Sequence, residues 1–303
     1  MVCTSFFFTA VTGIAYLEQV QADHHLVNGA PLPPDGSIPL RRNVDVLEAE
    51  SGPQWDLYVQ ALLEMQDVDA KDPLSYFQIA GSRLHPESSC LEVLHVLTKV
   101  VLGQGDGWLG YCPHGENIFL PWHRPYVLLF EEQLVKHALG IAQGYPEKYR
   151  DEYVAAAQTL RAPYWDWADQ SAVPYASIPK GWNINVTSGK DIAVKLLPNP
   201  LYKFNMPKAA LNGNFGPFDQ RRETERCRVP FFSYPGSADK NLRARNLKRN
   251  VYAAFVYAQD FTQFSETGNQ GVGLEQIHNW IHGDACCGNQ FYQPDLSAFD
   301  PLL

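Results

Sequence analysis

No Lys or Arg precedes Arg41, and across the chain 24 basic side chains face 33 acidic ones, a formal net charge of -9. That balance argues against nucleic acid, which asks for a basic stripe. No CxxC pair occurs among Cys3, Cys90, Cys112, Cys227, Cys286 and Cys287, which sets aside zinc ribbons and thioredoxin-like sites. Neighbours Cys286 and Cys287 are poorly placed to pair with each other, and whether either meets Cys227 stays open. Nothing outside the N-terminal stretch approaches the roughly 18 apolar residues of a spanning helix, so no transmembrane segment is expected. Internal repeats and low-complexity tracts are absent as well. What remains is a chain of 303 residues, 45% hydrophobic and 13% aromatic. It is sized for one large domain or two small ones and can bury a substantial core.

Ser5 to Leu17 is mostly apolar, and Val20-Gln21-Ala22 resembles a small-residue cleavage site. This reads as a signal peptide over 1–22, followed by a domain over 23–303, and so as a secreted protein. The missing basic leader leaves an N-terminal core segment as the alternative. The sequon Asn185-Val186-Thr187 would permit glycosylation of a secreted chain.

Residues 29–39 are rich in Gly and Pro and read as an extended loop. A helix is expected over 53–67, with Pro53 in its first turn and Trp55, Tyr58, Leu62 and Met65 at helical spacing. Residues 125–139 read as another, opened by Pro125 and followed by Gly140, and 147–160 as a third. From 171 to 235, Pro, Gly and Asn accumulate, as in a long irregular excursion. Helical pattern returns over 239–264 and 271–282. The expected fold is mainly α: a helical bundle with long irregular loops and little strand.

Nine histidines are few enough to weigh singly. His278 and His282 stand four apart on an expected helix, so their rings leave one face and can reach one metal. A zinc protease would need HExxH, but Asn279 stands where the general-base Glu belongs. A second group is His114, in the loop Cys112-Pro113-His114-Gly115, and His123, beside the start of a helix. Imidazole suits copper, zinc, iron and nickel alike, so ligand type alone names no metal. Two imidazole groups on separate helices are one way to build a metal centre in a bundle.

The run YCPHGENIFLPWHRPYVLLFEEQL (111–134) resembles the first copper-binding signature of fungal tyrosinases and catechol oxidases, the type-3 copper proteins. LEQIHNWIHG (274–283) resembles the second, PYWDWA (163–168) the aromatic segment between them, and QPDLSAFDPLL (293–303) the approach to the last copper ligand. These blocks occur in family order and span roughly 23–303. The resemblance implies two coppers, each held by three histidines, with dioxygen bound between them. Two are needed because each copper supplies one electron and dioxygen takes up two.

Carried over by position, His114 and His123 match two ligands of the first copper, and His278 and His282 two of the second. Cys112 matches the cysteine that family members join to a ligand histidine by a thioether bond, which would fix that ring. Glu275 and Asn279 match the positions that hold a water able to take a phenol proton. Phe119 resembles the aromatic between the two metals. Asp166 reads as structural.

The pattern departs from the family in two places. Residues 82–104 do not follow it, as an unspliced intron or divergent exon would not. The first ligand of the first copper then falls to His85, with His95 second and neither as the alternative. No histidine follows His282, so the third ligand of the second copper is missing from these 303 residues. Weak binding of that copper, or a longer form of the chain, is expected. The function implied is oxidation of phenols and o-diphenols to o-quinones with O2, in pigment or secondary-metabolite formation. Alternatives are a catalytically impaired relative and an oxygen carrier of the haemocyanin type.

Overall fold

The computed structural model describes residues 25–81, 113–215, 222–226, 234–267, 272–286, 291 and 296–302. The signal-like segment, His85, His95 and Cys112 lie outside them.

The architecture is mainly α, as expected. Helices α1 (Val44–Glu50), α2 (Pro53–Asp67) and α3 (Tyr76–Gly81) are followed by α4 (Phe119–Gln143) and α5 (Glu147–Thr159). A hairpin of β1 (Gly181–Ser188) and β2 (Asp191–Pro198) comes next, then the single turn α6 (Lys208–Leu211). The last group is α7 (Gly236–Ala244), α8 (Leu247–Tyr257), α9 (Phe261–Ser265) and α10 (Leu274–Cys286).

Helix α2 is the pillar of the bundle. Pro53 at its start needs no amide partner, and Trp55, Leu57, Tyr58, Val59, Ala61, Leu62 and Met65 are all buried. Apolar residues thus cover most of its circumference, the signature of a helix enclosed on nearly every side. Helices α4 and α5 pack on it, with Leu129, Leu134 and Ala138 contributed by α4. A second, smaller core joins Ala238 and Leu242 of α7, Leu247 of α8 and Ile277, Ile281 and Ala285 of α10.

Polar staples join the loops to the larger core. Asp56 on α2, only 2% exposed, accepts from the Tyr153 hydroxyl at 2.8 Å, the Asn185 amide N–H at 3.1 Å and Asn185 Nδ2 at 3.0 Å. This seats the hairpin on the bundle. Burial still raises the Asp56 carboxyl above its usual range, against the lowering by these three donors. Glu131 holds Arg41 at 2.8 Å and the Ala162 N–H at 3.0 Å, and its neighbour Glu132 accepts from Asn28 and Gly29 N–H at 2.9 Å, so α4 anchors the extended segment before α1. Buried Arg226 binds Asp300 through Nε at 2.7 and 2.9 Å and donates to the Leu201 carbonyl at 2.6 Å.

Three boundaries differ from expectation. Helix α4 begins at Phe119, six residues before Pro125. Pro121 falls in the first turn, where a missing N–H costs nothing, and the helix runs on through Pro125 with one bond fewer. The stretch 239–264 is three helices, broken by Asn246 in the left-handed conformation (φ 51) and restarted at Asp260, whose side chain caps Gln263. The region 171–235 is not wholly irregular, because β1 and β2 pair antiparallel from Gly181↔Pro198 to Ser188↔Asp191. Asp166 serves a turn, accepting from the Asp169 N–H at 3.1 Å.

Candidate metal centre

Four histidines from two distant stretches of chain meet at one place. The His114 ring lies 6.1 Å from His123 and 6.3 Å from His278, and His123 lies 6.3 Å from His278. Phe119 sits among them, with ring centroids 4.4 Å from His123, 5.0 Å from His278 and 5.8 Å from His114. Its placement agrees with an aromatic spacer between two metal positions.

The α10 pair shows what such a site requires. His282, only 8% exposed, has its Nδ1 2.6 Å from the carbonyl of Phe291. His278 Nδ1 lies 3.1 Å from Asn279 Oδ1. Each Nδ1 faces an oxygen acceptor, which favours the tautomer with the proton on Nδ1 and makes Nε2 the ligand atom. These two Nε2 atoms are 2.9 Å apart. Two lone pairs at that distance repel unless a cation lies where both can reach it. Imidazole nitrogens about 2.0 Å from one metal stand roughly 3 Å apart, so this pair fits a shared ion. The His123 ring is oriented in a similar way, its Nδ1 held 2.6 Å from the Phe119 carbonyl. Among the described residues, no three His, Cys, Asp or Glu side chains converge on a single ion position.

Glu275 ties the two halves together. It is fully buried on α10, and its Oε1 accepts the Gly115 N–H at 2.6 Å, next to His114. Gly115 takes φ +71, a conformation that side-chain-bearing residues rarely adopt. The other oxygen, Oε2, is buried without a hydrogen-bond partner. Burial raises the Glu275 carboxyl above its ordinary range; the Gly115 N–H opposes this and the charges of Glu266 and Glu116 add to it. A buried carboxylate of raised affinity, with a free oxygen beside a metal site, has the makings of a general base.

Behind His278 and His282 lies a cavity of about 430 Å³, walled by Tyr58, Tyr76, Phe130, Trp165 and Phe291 among others. His278 and His282 are part of its wall, so the cavity adjoins the α10 half of the imidazole set. The remaining described histidines serve elsewhere: His25 pairs with Glu132 at 2.6 Å and His137 with Glu64 at 3.2 Å.

Residues 73–303 match the family model for the common central domain of tyrosinase. The chain belongs to the tyrosinase family. It is 30% identical to a tyrosinase of Neurospora crassa over 298 residues, covering 91% of this chain and 43% of that protein. A tyrosinase of Podospora anserina is 32% identical over 296 residues, covering 89% and 49%. The chain thus spans less than half the length of these tyrosinases. Among solved structures, a mushroom tyrosinase superposes with a TM-score of 0.74 at 24% identity, covering 92% of this chain and 72% of that one. A copper-bound tyrosinase of Aspergillus oryzae complexed with L-tyrosine gives 0.74 at 22% identity, covering 92% and 80%. These likenesses extend the tyrosinase fold to nearly the whole chain, and the family makes copper the expected occupant of the imidazole set.

Sequence reasoning names the four histidines, Phe119, Glu275 and Asn279. It misses Gly115, whose N–H binds Glu275, and the carbonyls of Phe119 and Phe291 that fix two ligand rings. Backbone groups leave no trace in residue identity; only a glycine next to a candidate ligand hints at one.

Proposed function

We propose that this chain is the copper-binding part of an enzyme that oxidises phenols and o-diphenols to o-quinones with O2, as a tyrosinase or catechol oxidase. The two facing Nε2 lone pairs of His278 and His282 carry this reading. His278 and His282 would hold one copper, and His114 and His123 the other, with His85 as the added ligand on sequence grounds. Two coppers, one electron each, supply the two-electron exchange with dioxygen.

The chain's own residues have distinct tasks. Phe119 keeps the two imidazole pairs apart and excludes water between them. Asn279 and the Phe291 carbonyl orient the α10 rings. Glu275, with Asn279 four residues along the same helix, would hold a water at its free oxygen and take the proton from a phenol hydroxyl, delivering the phenolate to the metal. Cys112 would bond to His114 and fix that ring. Pigment or secondary-metabolite formation suits a quinone product, which polymerises readily.

Copper content by elemental analysis and oxygen uptake with a catechol test the proposal together. Catechol-dependent oxygen uptake is expected once both positions are loaded, with the His278–His282 copper the more weakly held; two loaded positions and no uptake would overturn it. The second reading is an impaired, copper-carrying relative. It is motivated by the segment 82–104, which departs from the family pattern. Fewer than two coppers per chain, without turnover, would select it.

A further inference from the structure

A run of indole and phenol rings begins at the imidazole set and leads away from it. Trp122 packs on His123 with ring centroids 5.0 Å apart, and Tyr126 stacks on Trp122 at 5.3 Å with the planes 20° apart. Tyr126, Tyr76 and Tyr58 then wall the same cavity of about 430 Å³. The three phenols lie within each other's field: burial raises the Tyr76 hydroxyl well above its usual range, and Asp300, Tyr126 and Tyr58 add to this. From Tyr58 the run continues to Trp55 at 5.7 Å, from Trp55 to Trp182 on β1 at 5.5 Å, and from Trp182 to Tyr175 at 5.8 Å. Trp55, Tyr58, Tyr76 and Trp122 are buried, whereas Tyr175 is 56% exposed. The hairpin thus carries the run from the core to the surface.

Indole and phenol are, after thiols, the side chains that give up one electron most readily. Electron transfer weakens steeply with distance, so a series of short steps between such rings succeeds where one long step fails. The inner end is suited to passing charge on. Trp122 Nε1 is buried without a hydrogen-bond partner, so an oxidised Trp122 keeps its proton and does not settle as a neutral radical. Tyr76 donates to the Phe299 carbonyl at 3.2 Å, a poor base. At the outer end the exposed Tyr175 hydroxyl meets water, which can take its proton.

We infer that the rings from Trp122 to Tyr175 form a route by which an electron from a surface reductant reaches an oxidised metal held by His123, discharging it when no phenol is bound. One electron leaves Tyr175 and arrives at the metal by way of the intervening rings, while the Tyr175 proton goes to water. A small reductant that gives a hydrogen atom, of the ascorbate or thiol class, then restores the phenol. In sum the reductant loses one electron and one proton, the metal gains the electron and water the proton. This inference rests on the proposed metal site and not on phenol turnover.

The copper-loaded chain, given hydrogen peroxide and no phenol, tests it. Freeze-quenched samples should show a tyrosyl radical by electron paramagnetic resonance, and a spin trap should mark Tyr175, read by mass spectrometry. Trp55→Phe and Trp182→Phe each keep a ring in place but resist oxidation. Both should lose most of the Tyr175 adduct and move damage to the Trp122–His123 end, and Trp55→Tyr should restore it. Tyr257, 67% exposed on α8, reports direct attack by peroxide and should be marked alike in every variant. A readout without copper uses a ruthenium photo-oxidant on an introduced Asn183→His, beside Trp182, in a Tyr175→Phe chain. A flash should produce an indole radical and then an inner phenoxyl radical, and Trp55→Phe should remove the second. Equal Tyr175 labelling in the parent chain and both Phe variants, or no inward phenoxyl radical, would overturn the inference. Absence of catechol-dependent oxygen uptake beside intact labelling would instead sink the proposed function alone.

Discussion

His278 and His282 leave one helix four residues apart and bring their Nε2 atoms within 2.9 Å, whereas His114 and His123 come from a loop and a helix start with rings 6.1 Å apart. The α10 pair is fixed by secondary structure: once the helix forms, both rings share a face, and two oxygen acceptors set their tautomers. The other pair is fixed by tertiary structure. His123 depends on the first turn of α4, and His114 on a glycine turn whose N–H is held by Glu275 from α10. One half of the site is preassembled, and the other is assembled against it.

Four substitutions put this contrast at risk, with effects on copper and turnover that should decline in the order His282, Glu275, Gly273, Asp56. His282→Ala removes a ligand of the preassembled pair. Copper affinity at that position should fall by more than the roughly 10–100-fold typical of changes to groups behind a ligand, and catechol oxidation should drop to background. Elemental analysis should then show at most one copper per chain. Glu275→Gln keeps an acceptor for the Gly115 N–H and removes the base. Turnover should fall by about 100-fold or more with copper content retained, while Glu275→Ala should lose copper from the His114 side as well. A Glu275→Gln variant that keeps full turnover would remove Glu275 from the proton path.

Gly273→Ala pushes a methyl group into the Glu266 carbonyl, so the start of α10 must shift. A loss of about 1–3 kcal/mol in stability by denaturant titration is expected, with weaker copper binding on the His114 side than on the His282 side. Asp56→Ala leaves the Tyr153 hydroxyl and two Asn185 N–H groups without their acceptor. It should cost about 2–4 kcal/mol and leave copper stoichiometry unchanged, because the hairpin staple belongs to the core away from the site.

The elements legible in the sequence are those whose signals are local. Helix α2 runs from Pro53 to Asp67 as its proline and apolar spacing foretell, and the four histidines lie in short motifs that survive in one dimension. Where two signals compete, the weaker one is easily lost. Pro125 reads as a helix start, but α4 begins with Phe119, because a proline can be tolerated inside a long helix. The alternation of Trp182, Ile184 and Val186 with Asn183, Asn185 and Thr187, closed by Gly189-Lys190, is a strand-and-turn signal hidden in a Pro- and Asn-rich region. The clamp from Glu275 to Gly115 spans 160 positions of sequence and involves a backbone N–H, so nothing short of the folded chain reveals it. The same holds for the Phe291 carbonyl behind His282.

The hairpin staple also bears on the sequon Asn185-Val186-Thr187. Oligosaccharide transfer to Asn185 would use the side-chain nitrogen that donates to Asp56 in the folded chain. A glycosylated Asn185 would keep one Nδ2–H for Asp56, and its backbone N–H and the Tyr153 hydroxyl would hold the staple as well, so the sugar would have to leave along the hairpin's outer side. A chain that folds first would present the enzyme with an asparagine already engaged.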